Sequence, residues 1–327
     1  MSVYSKIDLR VHRDFSEVFS TVFRFVRGNV RSLFLLLFLV LSPYILFSAL
    51  FTTLLENYFL GGRRSFWFIF GQDDFSQKLS DGITQNISLV VAFLLLHFFL
   101  FVLARAAISV YATQYVLSEN PKSIPINQLV KETYRKAFRV LPAFLFLLFC
   151  FSIPLGIVLI FLKYVVMAYS ELLLGMFVFV SVMALPIIVP IITIIFFHLF
   201  FFLKLRDNLT FIKTIQKLFF ILKGNLMSLW LFYVCMAGIV FVLDQAMAIP
   251  VGIYEIFSSF SRAGQVENNF SVMALIIAFL SRLSFFLFYA LMDILSVILF
   301  YNFEEKKTGA AILEKINRIG MSDNNFK

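Results

Sequence analysis

The chain has 327 residues, of which 61% are apolar and only 14% are charged, and its formal net charge is +9. Soluble globular domains carry about 25% charged residues, so this composition excludes an ordinary soluble domain. The 45 Phe residues favour helices that face lipid. Both Cys residues, Cys150 and Cys235, fall in apolar runs, which argues against a disulfide framework or a thiolate metal site. We expect an integral membrane protein without a cofactor.

Six segments are long and apolar enough to cross a membrane, which takes about 20 residues of helix. We therefore predict one all-α integral membrane domain over residues 1–327. Its six spans lie at about 32–55, 86–117, 141–163, 172–203, 226–249 and 271–302. Amphipathic stretches with basic polar faces precede the first, third and fifth spans and follow the sixth, at about 13–28, 125–140, 208–224 and 308–320. Such helices lie in the membrane interface, so the pattern predicts three repeats of an interfacial helix plus a helical hairpin.

A short motif marks the start of two of these repeats. Residues 27–35 read RGNVRSLFL, and residues 223–231 read KGNLMSLWL. Gly and Asn tolerate the left-handed conformation that ends a helix. We therefore predict a hinge between surface helix and span at Gly28–Asn29 and again at Gly224–Asn225. The middle repeat has Pro142 at this place, and Pro can end one helix and start the next.

The distribution of positive charge predicts the orientation. Most of the 28 Lys and Arg residues lie in the N-terminus, the tail and the loops near 118–140 and 204–225. By the positive-inside rule these segments are cytoplasmic, which agrees with an even number of spans. We expect a multi-pass protein of a bacterial inner membrane with both termini in the cytoplasm. The basic face should attract anionic lipids, and nothing in the sequence resembles a nucleic-acid recognition motif.

Ionisable residues inside the spans are the candidate functional residues, because each costs about 2.5–3.5 kcal/mol at the centre of a helix. They are Arg105, Arg282 and Asp293, followed by Asp244, His97 and His198. Arg105 and Asp293 lie at similar depths in spans two and six, which predicts an ion pair. Asp244 is a possible partner for Arg282. These charged residues form either a path for protons or anions, or structural pairs. His97 and His198 each lie alone in an apolar span, which favours a packing role for both.

The chain resembles a broad group of six-helix bacterial membrane proteins. The resemblance is carried by Phe15–Asn29, Phe211–Asn225 and Ile298–Gly309, the last of which contains the run Tyr-Asn-Phe-Glu-Glu-Lys-Lys. The group includes the YciC-like proteins and the membrane domain attached to some glycerophosphodiester phosphodiesterases. It implies the six-helix architecture. It does not imply phosphodiesterase activity, because no soluble barrel accompanies these helices.

No catalytic motif accompanies this architecture. The three His residues are too few for a multi-histidine iron centre, and no H-E-x-x-H, G-x-S-x-G or Walker motif is present. We expect a non-enzymatic scaffold, assembly factor or accessory subunit that binds other membrane proteins. The alternative is a transporter of a small molecule or lipid that uses the buried charges and helices broken at Pro43, Pro154, Pro186 and Pro190. A polar cavity joining Arg105, Arg282 and Asp293 would favour the alternative.

Overall fold

The protein is a bundle of α-helices. The computed structural model describes residues 6–60, 87–118, 124–146, 195–261, 272–309 and 313, and within these ranges helices are the only regular secondary structure. In chain order they are α1 (Phe15–Leu60), α2 (Ile87–Leu117), α3 (126–146), α4 (195–207), α5 (Phe211–Leu222), α6 (Leu226–Ser261) and α7 (Val272–Thr308). The predicted all-α class is confirmed.

Four helices in the described ranges are long and apolar enough to cross a membrane. They are Phe15–Phe51, Val91–Leu117, Leu226–Met247 and Leu275–Thr308, which correspond to the first, second, fifth and sixth predicted spans. The chain is thus a multi-pass membrane protein. Most of the other two predicted spans, 141–163 and 172–203, lies outside the described residues, together with Pro154, Pro186, Pro190 and most of the predicted tail helix. The six-span topology and the three repeats stay predictions.

Helix α7 is the central element of the described bundle. It packs against α1, α2, α5 and α6. Its apolar span is 78% buried, whereas the spans of α1 and α2 are 44% buried and that of α6 is 22% buried. A helix surrounded by others needs side chains that fit protein rather than lipid on every face. Polar side chains on α7 are therefore held by protein partners.

The predicted hinge at Gly28–Asn29 is wrong. Helix α1 runs for 46 residues without interruption, a length of about 69 Å. A single buried stripe with helical spacing continues across the Gly-Asn pair: Val18, Val22, Phe25, Asn29, Leu33, Leu36 and Val40. Because this stripe packs against the bundle on both sides of Gly28, tertiary contact outweighs the low helix propensity of Gly. The segment 13–28, which was predicted to be a separate interfacial helix, continues into the first span as one helix, α1.

The predicted break at Pro142 is also wrong, because α3 is helical from 126 through 146. Pro43 likewise lies inside α1 without ending it. Pro removes one backbone hydrogen bond, and in membrane helices neighbouring groups can compensate for that loss. Neither Pro breaks its helix.

A turn does occur at the second copy of the motif. The chain leaves the helical conformation at 223–225, and Gly224 has φ 82°. The Asn225 amide donates to the Leu222 carbonyl at 2.9 Å, and the Asn225 carbonyl accepts from Leu229 N, also at 2.9 Å, at the start of α6. Short α5 is therefore a separate helix, close to the predicted range of 208–224.

The segments predicted to be cytoplasmic meet at one end of the bundle. Lys6 Nζ donates to the carbonyls of Val116 and Ser118 at the end of α2. Asn302 near the end of α7 holds the N-terminal arm, since its Oδ1 accepts from Arg13 N at 2.6 Å. Lys307 Nζ donates to the Phe220 and Lys223 carbonyls at the end of α5. The described parts of the segments that determine the predicted orientation therefore lie at the same end of the bundle.

Candidate functional site

Polar side chains follow one face of α7 through the apolar bundle. Arg282, Tyr289, Asp293, Ser296 and Glu304 are spaced by seven, four, three and eight residues, which places them on one face of a helix. At 1.5 Å per residue, Asp293 lies about 16 Å from Arg282 and from Glu304 along the axis. The whole row covers about 33 Å, close to the thickness of the hydrocarbon core, about 30 Å. Arg282, Asp293 and Glu304 each contact polar residues from other helices, and the three groups are called the Arg282, Asp293 and Glu304 clusters.

The Asp293 cluster consists of Asp293, Arg105, His198 and Tyr289, contributed by α7, α2 and α4. The Arg105 Nε lies 3.6 Å from Asp293 Oδ1, and His198 Nδ1 lies 2.7 Å from the same oxygen. Arg105, His198 and Asp293 are 6%, 2% and 5% exposed. The predicted Arg105–Asp293 pair is present, and His198 joins it instead of packing alone.

The hydrogen bonds of Arg105 determine the tautomer of His198. Arg105 Nη2 is 3.1 Å from His198 Nε2 and 3.1 Å from the Tyr289 hydroxyl, and Nε2 is 3.0 Å from that hydroxyl. A guanidinium can only donate, so Nε2 accepts and the proton of neutral His198 is on Nδ1, beside Asp293. The Nδ1–H does not point directly at Oδ1, so the two groups form a close contact without an aligned hydrogen bond.

The cluster leaves buried polar atoms without a protein partner. Asp293 Oδ2 and Arg105 Nε are both buried and have no hydrogen-bond partner among the residues that the structure describes. Such atoms are rare in folded proteins and point to water, an ion or a functional role. The charge of Arg105 is further stabilised by the rings of Phe144 and Tyr289, at 5.5 and 5.9 Å from its Cζ. Oδ1 of Asp293 thus lies beside Arg105 and His198, whereas Oδ2 is buried without a polar partner in the described part of the bundle.

A second buried pair extends the Asp293 cluster towards Glu304. The Tyr233 hydroxyl of α6 lies 2.5 Å from Ser296 Oγ, and Ser296 donates at 2.6 Å to the Met292 carbonyl. The Tyr233 ring also packs edge-on against His198, with centroids 5.8 Å apart. Three other helices, α2, α4 and α6, therefore place polar groups against α7 between residues 289 and 296.

The Arg282 cluster joins α7 to α1 and α2. Arg282 Nη1 hydrogen-bonds Ser48 Oγ and His97 Nε2. Ser48 Oγ and His97 Nε2 are 3.0 Å apart. His97 Nδ1 is 2.9 Å from the Phe93 carbonyl. The predicted partner of Arg282 was Asp244 on α6, but among the described residues the two form no salt bridge, and Arg282 contacts Ser48, His97 and the ring of Phe93. The pairing with Asp244 is wrong because depth along the membrane does not specify which helices are neighbours.

The Glu304 cluster lies at the end of the bundle where the N-terminal arm meets the end of α7. Arg206 binds both carboxylate oxygens of Glu304, at 2.6 and 2.8 Å, and also Asp207. Lys217 of α5 completes the cluster, at 2.8 Å from Asp207 and 3.0 Å from Glu304. Burial alone would raise the pKa of Asp207, but hydrogen bonds from Arg206 and Lys217 outweigh it and lower that pKa. A cavity of about 470 Å³ opens beside the cluster and is also lined by Arg10, Thr113 and Glu305.

Sequence analysis identified the charged members of the two clusters inside the membrane but not their hydroxyl partners. Tyr289, four residues before Asp293, was detectable from helical spacing alone. Ser48 carried no signal, because single Ser residues are common in spanning helices. Among the described residues, no group of three His, Cys, Asp or Glu side chains could hold a metal ion.

The two Asn residues of the repeated motif make the same local hydrogen bond despite their different backbones. Asn29 Nδ2 donates to the Phe25 carbonyl at 2.8 Å, and Asn225 Nδ2 donates to the Ile221 carbonyl at 3.0 Å. Both side chains are buried. Asn29 Oδ1 also accepts from the Tyr111 hydroxyl at 2.9 Å, which ties α1 to α2. The shared role of the Asn is to satisfy a backbone carbonyl four residues earlier.

Comparisons with models of protein families, with curated proteins and with solved structures find no match to this chain. The resemblance to the YciC-like group therefore stays a prediction. The class defined by the fold is that of a multi-pass α-helical membrane protein with polar clusters inside the bundle.

Proposed function

We propose that this chain is a non-enzymatic transport protein of a bacterial inner membrane that carries protons, with both termini in the cytoplasm. Asp293 is the residue that gains and loses the proton. The observation that supports this role is its buried carboxylate, which has His198 and Arg105 beside Oδ1 and an Oδ2 without a hydrogen-bond partner. Intramembrane Asp and His residues in contact are typical of proton relays.

The row of polar clusters along α7 supports a relay rather than an isolated site. Along α7, Asp293 lies about midway between the Arg282 and Glu304 clusters, and the latter borders the 470 Å³ cavity. The 470 Å³ cavity is not lined by Arg105, Arg282 or Asp293, so the proposal rests on the row of clusters and not on a cavity that joins the three residues. His97 belongs to the Arg282 cluster and His198 to the Asp293 cluster, and an imidazole can pass a proton between neighbouring groups. A proton on Asp293 neutralises the carboxylate and weakens its attraction for Arg105, so that protonation and helix contacts are linked.

Liposomes that contain the purified chain and an internal pH-sensitive dye test the proposal. A potassium diffusion potential drives proton entry, and the rate of internal acidification is measured. We expect the native chain to acidify the interior faster than protein-free liposomes do. Asp293→Asn, which cannot exchange a proton, should return the rate to the protein-free level, and His198→Gln should lower it.

Asp244→Asn is the matched control, because it makes the same chemical change in another span, outside the Asp293 cluster. It should keep the native rate. The proposal is overturned if the native chain acidifies no faster than empty liposomes, or if Asp293→Asn and Asp244→Asn have equal rates. Size-exclusion profiles of all variants establish that each one is folded.

An accessory subunit of a membrane complex is the second candidate. It is favoured by exposed basic residues on α1, α3 and α5, which offer a charged surface to partner proteins or anionic lipids: Arg24, Arg27, Arg31, Lys131, Arg135, Arg139 and Lys213. Purification from native membranes in mild detergent, followed by mass spectrometry, distinguishes the two. A stoichiometric partner that is lost on replacing Arg24, Arg27 and Arg31 by Gln supports this candidate, and a solitary protein counts against it.

A further inference from the structure

A second cavity, lined mainly by basic residues, lies between α3 and the end of α4. Its volume is about 310 Å³ and its lining consists of Lys136, Arg139, Val140, Lys204, Leu205, Arg206 and Asn208. This volume is at the lower end of the range for small-molecule sites, about 300–1,000 Å³. Four of the seven lining residues are cations and none is an acid.

Two of these cations are not neutralised by a carboxylate in the described part of the chain. Lys136 pairs with Glu132 at 2.9 Å, and Arg206 pairs with Glu304. By contrast, Arg139 Nη1 donates to Asn208 Oδ1 at 3.4 Å, and Lys204 Nζ donates to the Leu209 carbonyl. Burial lowers the pKa of Lys204, so an anion in the cavity would stabilise its charged form. The cavity therefore has an excess of positive charge.

The backbone at Asn208 supports a built site. Asn208 has φ 50°, the only positive φ of a non-Gly residue in the described ranges. This conformation is uncommon outside Gly, although Asn adopts it more readily than most residues. It turns the chain from α4 into α5 and places the Asn208 side chain beside Arg139. Lys204 of α4 and Arg139 of α3 line the same cavity as Asn208.

The surroundings identify the chemistry of the occupant. Residues 139 and 204 lie at the boundary between predicted cytoplasmic loops and spans, which is the depth of phospholipid headgroups. On either side of Arg139 in the sequence, α3 exposes an apolar row at helical spacing that consists of Phe138, Leu145 and Phe146, exposed by 57%, 41% and 55%. A molecule with an anionic head and an apolar chain fits both features together.

We infer that this cavity binds the phosphate group of an anionic glycerophospholipid, with its acyl chain along Phe138, Leu145 and Phe146. Arg139 is the principal ligand, because a guanidinium can hold two phosphate oxygens at once. Lys204 acts as a second charge, and Asn208 orients Arg139. The site is separate from the Asp293 cluster and does not depend on proton transport.

Native mass spectrometry of the full chain tests the inference. The protein is incorporated into nanodiscs of phosphatidylcholine with phosphatidylglycerol, released in the gas phase, and the retained lipids are counted. We expect one phosphatidylglycerol to be retained by the native chain, and Arg139→Lys to retain it less tightly than the native chain but more tightly than Arg139→Gln, since Lys keeps the charge without the paired donors. Arg139→Gln and Lys204→Gln should each lower the affinity for this lipid about fivefold, the effect of one basic residue near an anionic surface.

Arg135→Gln is the matched control, because Arg135 is an exposed cation on the same helix that does not line the cavity. It should retain the lipid as the native chain does. Equal losses in Arg135→Gln and Arg139→Gln would overturn the inference in favour of diffuse attraction to the basic surface. It is also overturned if inorganic phosphate displaces the lipid at millimolar concentration, since the site would then take free phosphate. Circular dichroism and size-exclusion profiles of each variant exclude loss of the fold.

Discussion

Arg105 and Asp293, on helices α2 and α7, form an ion pair inside the membrane span, with Nε 3.6 Å from Oδ1 and both side chains 7% exposed. His198 contacts both members of the pair, and Tyr289 contacts Arg105. A buried pair of this kind adds little to stability in comparison with apolar residues, but removal of one partner leaves an uncompensated charge. The pair thus makes α2, α4 and α7 mutually dependent.

Replacement of the pair should show strong coupling. Arg105→Ala and Asp293→Ala should each lower the free energy of unfolding by about 3–5 kcal/mol, because each leaves a buried charge alone. The double variant should lose clearly less free energy of unfolding than the sum of the two single losses. Reversible unfolding in mixed detergent micelles measures all four proteins. Costs that add would show that the two side chains do not act as a pair, and Asp244→Asn serves as the control for an acid outside the cluster.

Sequence alone could predict this pair, because similar depths from the charged helix ends place Arg105 and Asp293 at one level of the membrane. Depth could not identify the partners of Arg282, since it contains no information about which helices are neighbours. The same limit applies to His198. A lone His in an apolar span is indistinguishable from a packing residue until α4 is placed beside α2 and α7.

The two Gly residues of the repeated motif should respond oppositely to the same substitution. Gly28 lies inside α1, and a Cβ there meets no atom within 4 Å. Gly28→Ala should therefore stabilise the protein by about 0.5–1 kcal/mol. Gly224 has φ 82°, which an L-residue adopts at a cost of about 1–2 kcal/mol. Gly224→Ala should therefore destabilise it.

Each variant is the control for the other in this comparison, because both add one methyl group in open space. Thermal unfolding in detergent gives the sign directly. A loss of stability in both variants would mean that α1 bends at Gly28 in the membrane, as the sequence motif predicts. Opposite signs would support the continuous α1 described above.

The contrast between these glycines shows where the sequence motif stops being informative. RGN and KGN are nearly identical locally, yet one copy is helical and the other is a turn. The difference lies in distant residues. Val22, Phe25 and Leu33 bury a continuous face of α1, whereas Lys307 binds the end of α5 at the other copy. Local propensity is a weak predictor when tertiary packing differs.

The Glu304 cluster should contribute to stability at neutral pH and lose that contribution in acid. Hydrogen bonds from Arg206 and Lys217 outweigh burial and lower the pKa of Asp207. A carboxylate with a lowered folded pKa stabilises the protein fully above its unfolded pKa, about 3.9, and loses this effect as the pH falls through the folded value. The melting temperature of the native chain should therefore fall below about pH 4.

Asp207→Asn should lower the melting temperature at pH 7. It should also make the further fall of the melting temperature below about pH 4 smaller than in the native chain. Asp14→Asn is a suitable control, because Asp14 is exposed at the start of α1 and Asn caps a helix as well as Asp does. Its profile should follow that of the native chain. An unchanged acid profile in Asp207→Asn would show that this carboxylate does not contribute.

Lys307 should hold the end of α5 in place. Its ammonium donates to the Phe220 and Lys223 carbonyls and lies 4.6 Å from the centre of the Phe220 ring. A cation at a helix C-terminus stabilises it by about 0.3–1 kcal/mol. In Lys307→Ala, hydrogen exchange followed by mass spectrometry should be faster for amides between 219 and 229, where the turn between α5 and α6 lies. Lys306→Ala, which removes the exposed neighbouring charge, should leave that exchange unchanged. Equal acceleration in both variants would assign the effect to net charge and not to the two hydrogen bonds of Lys307.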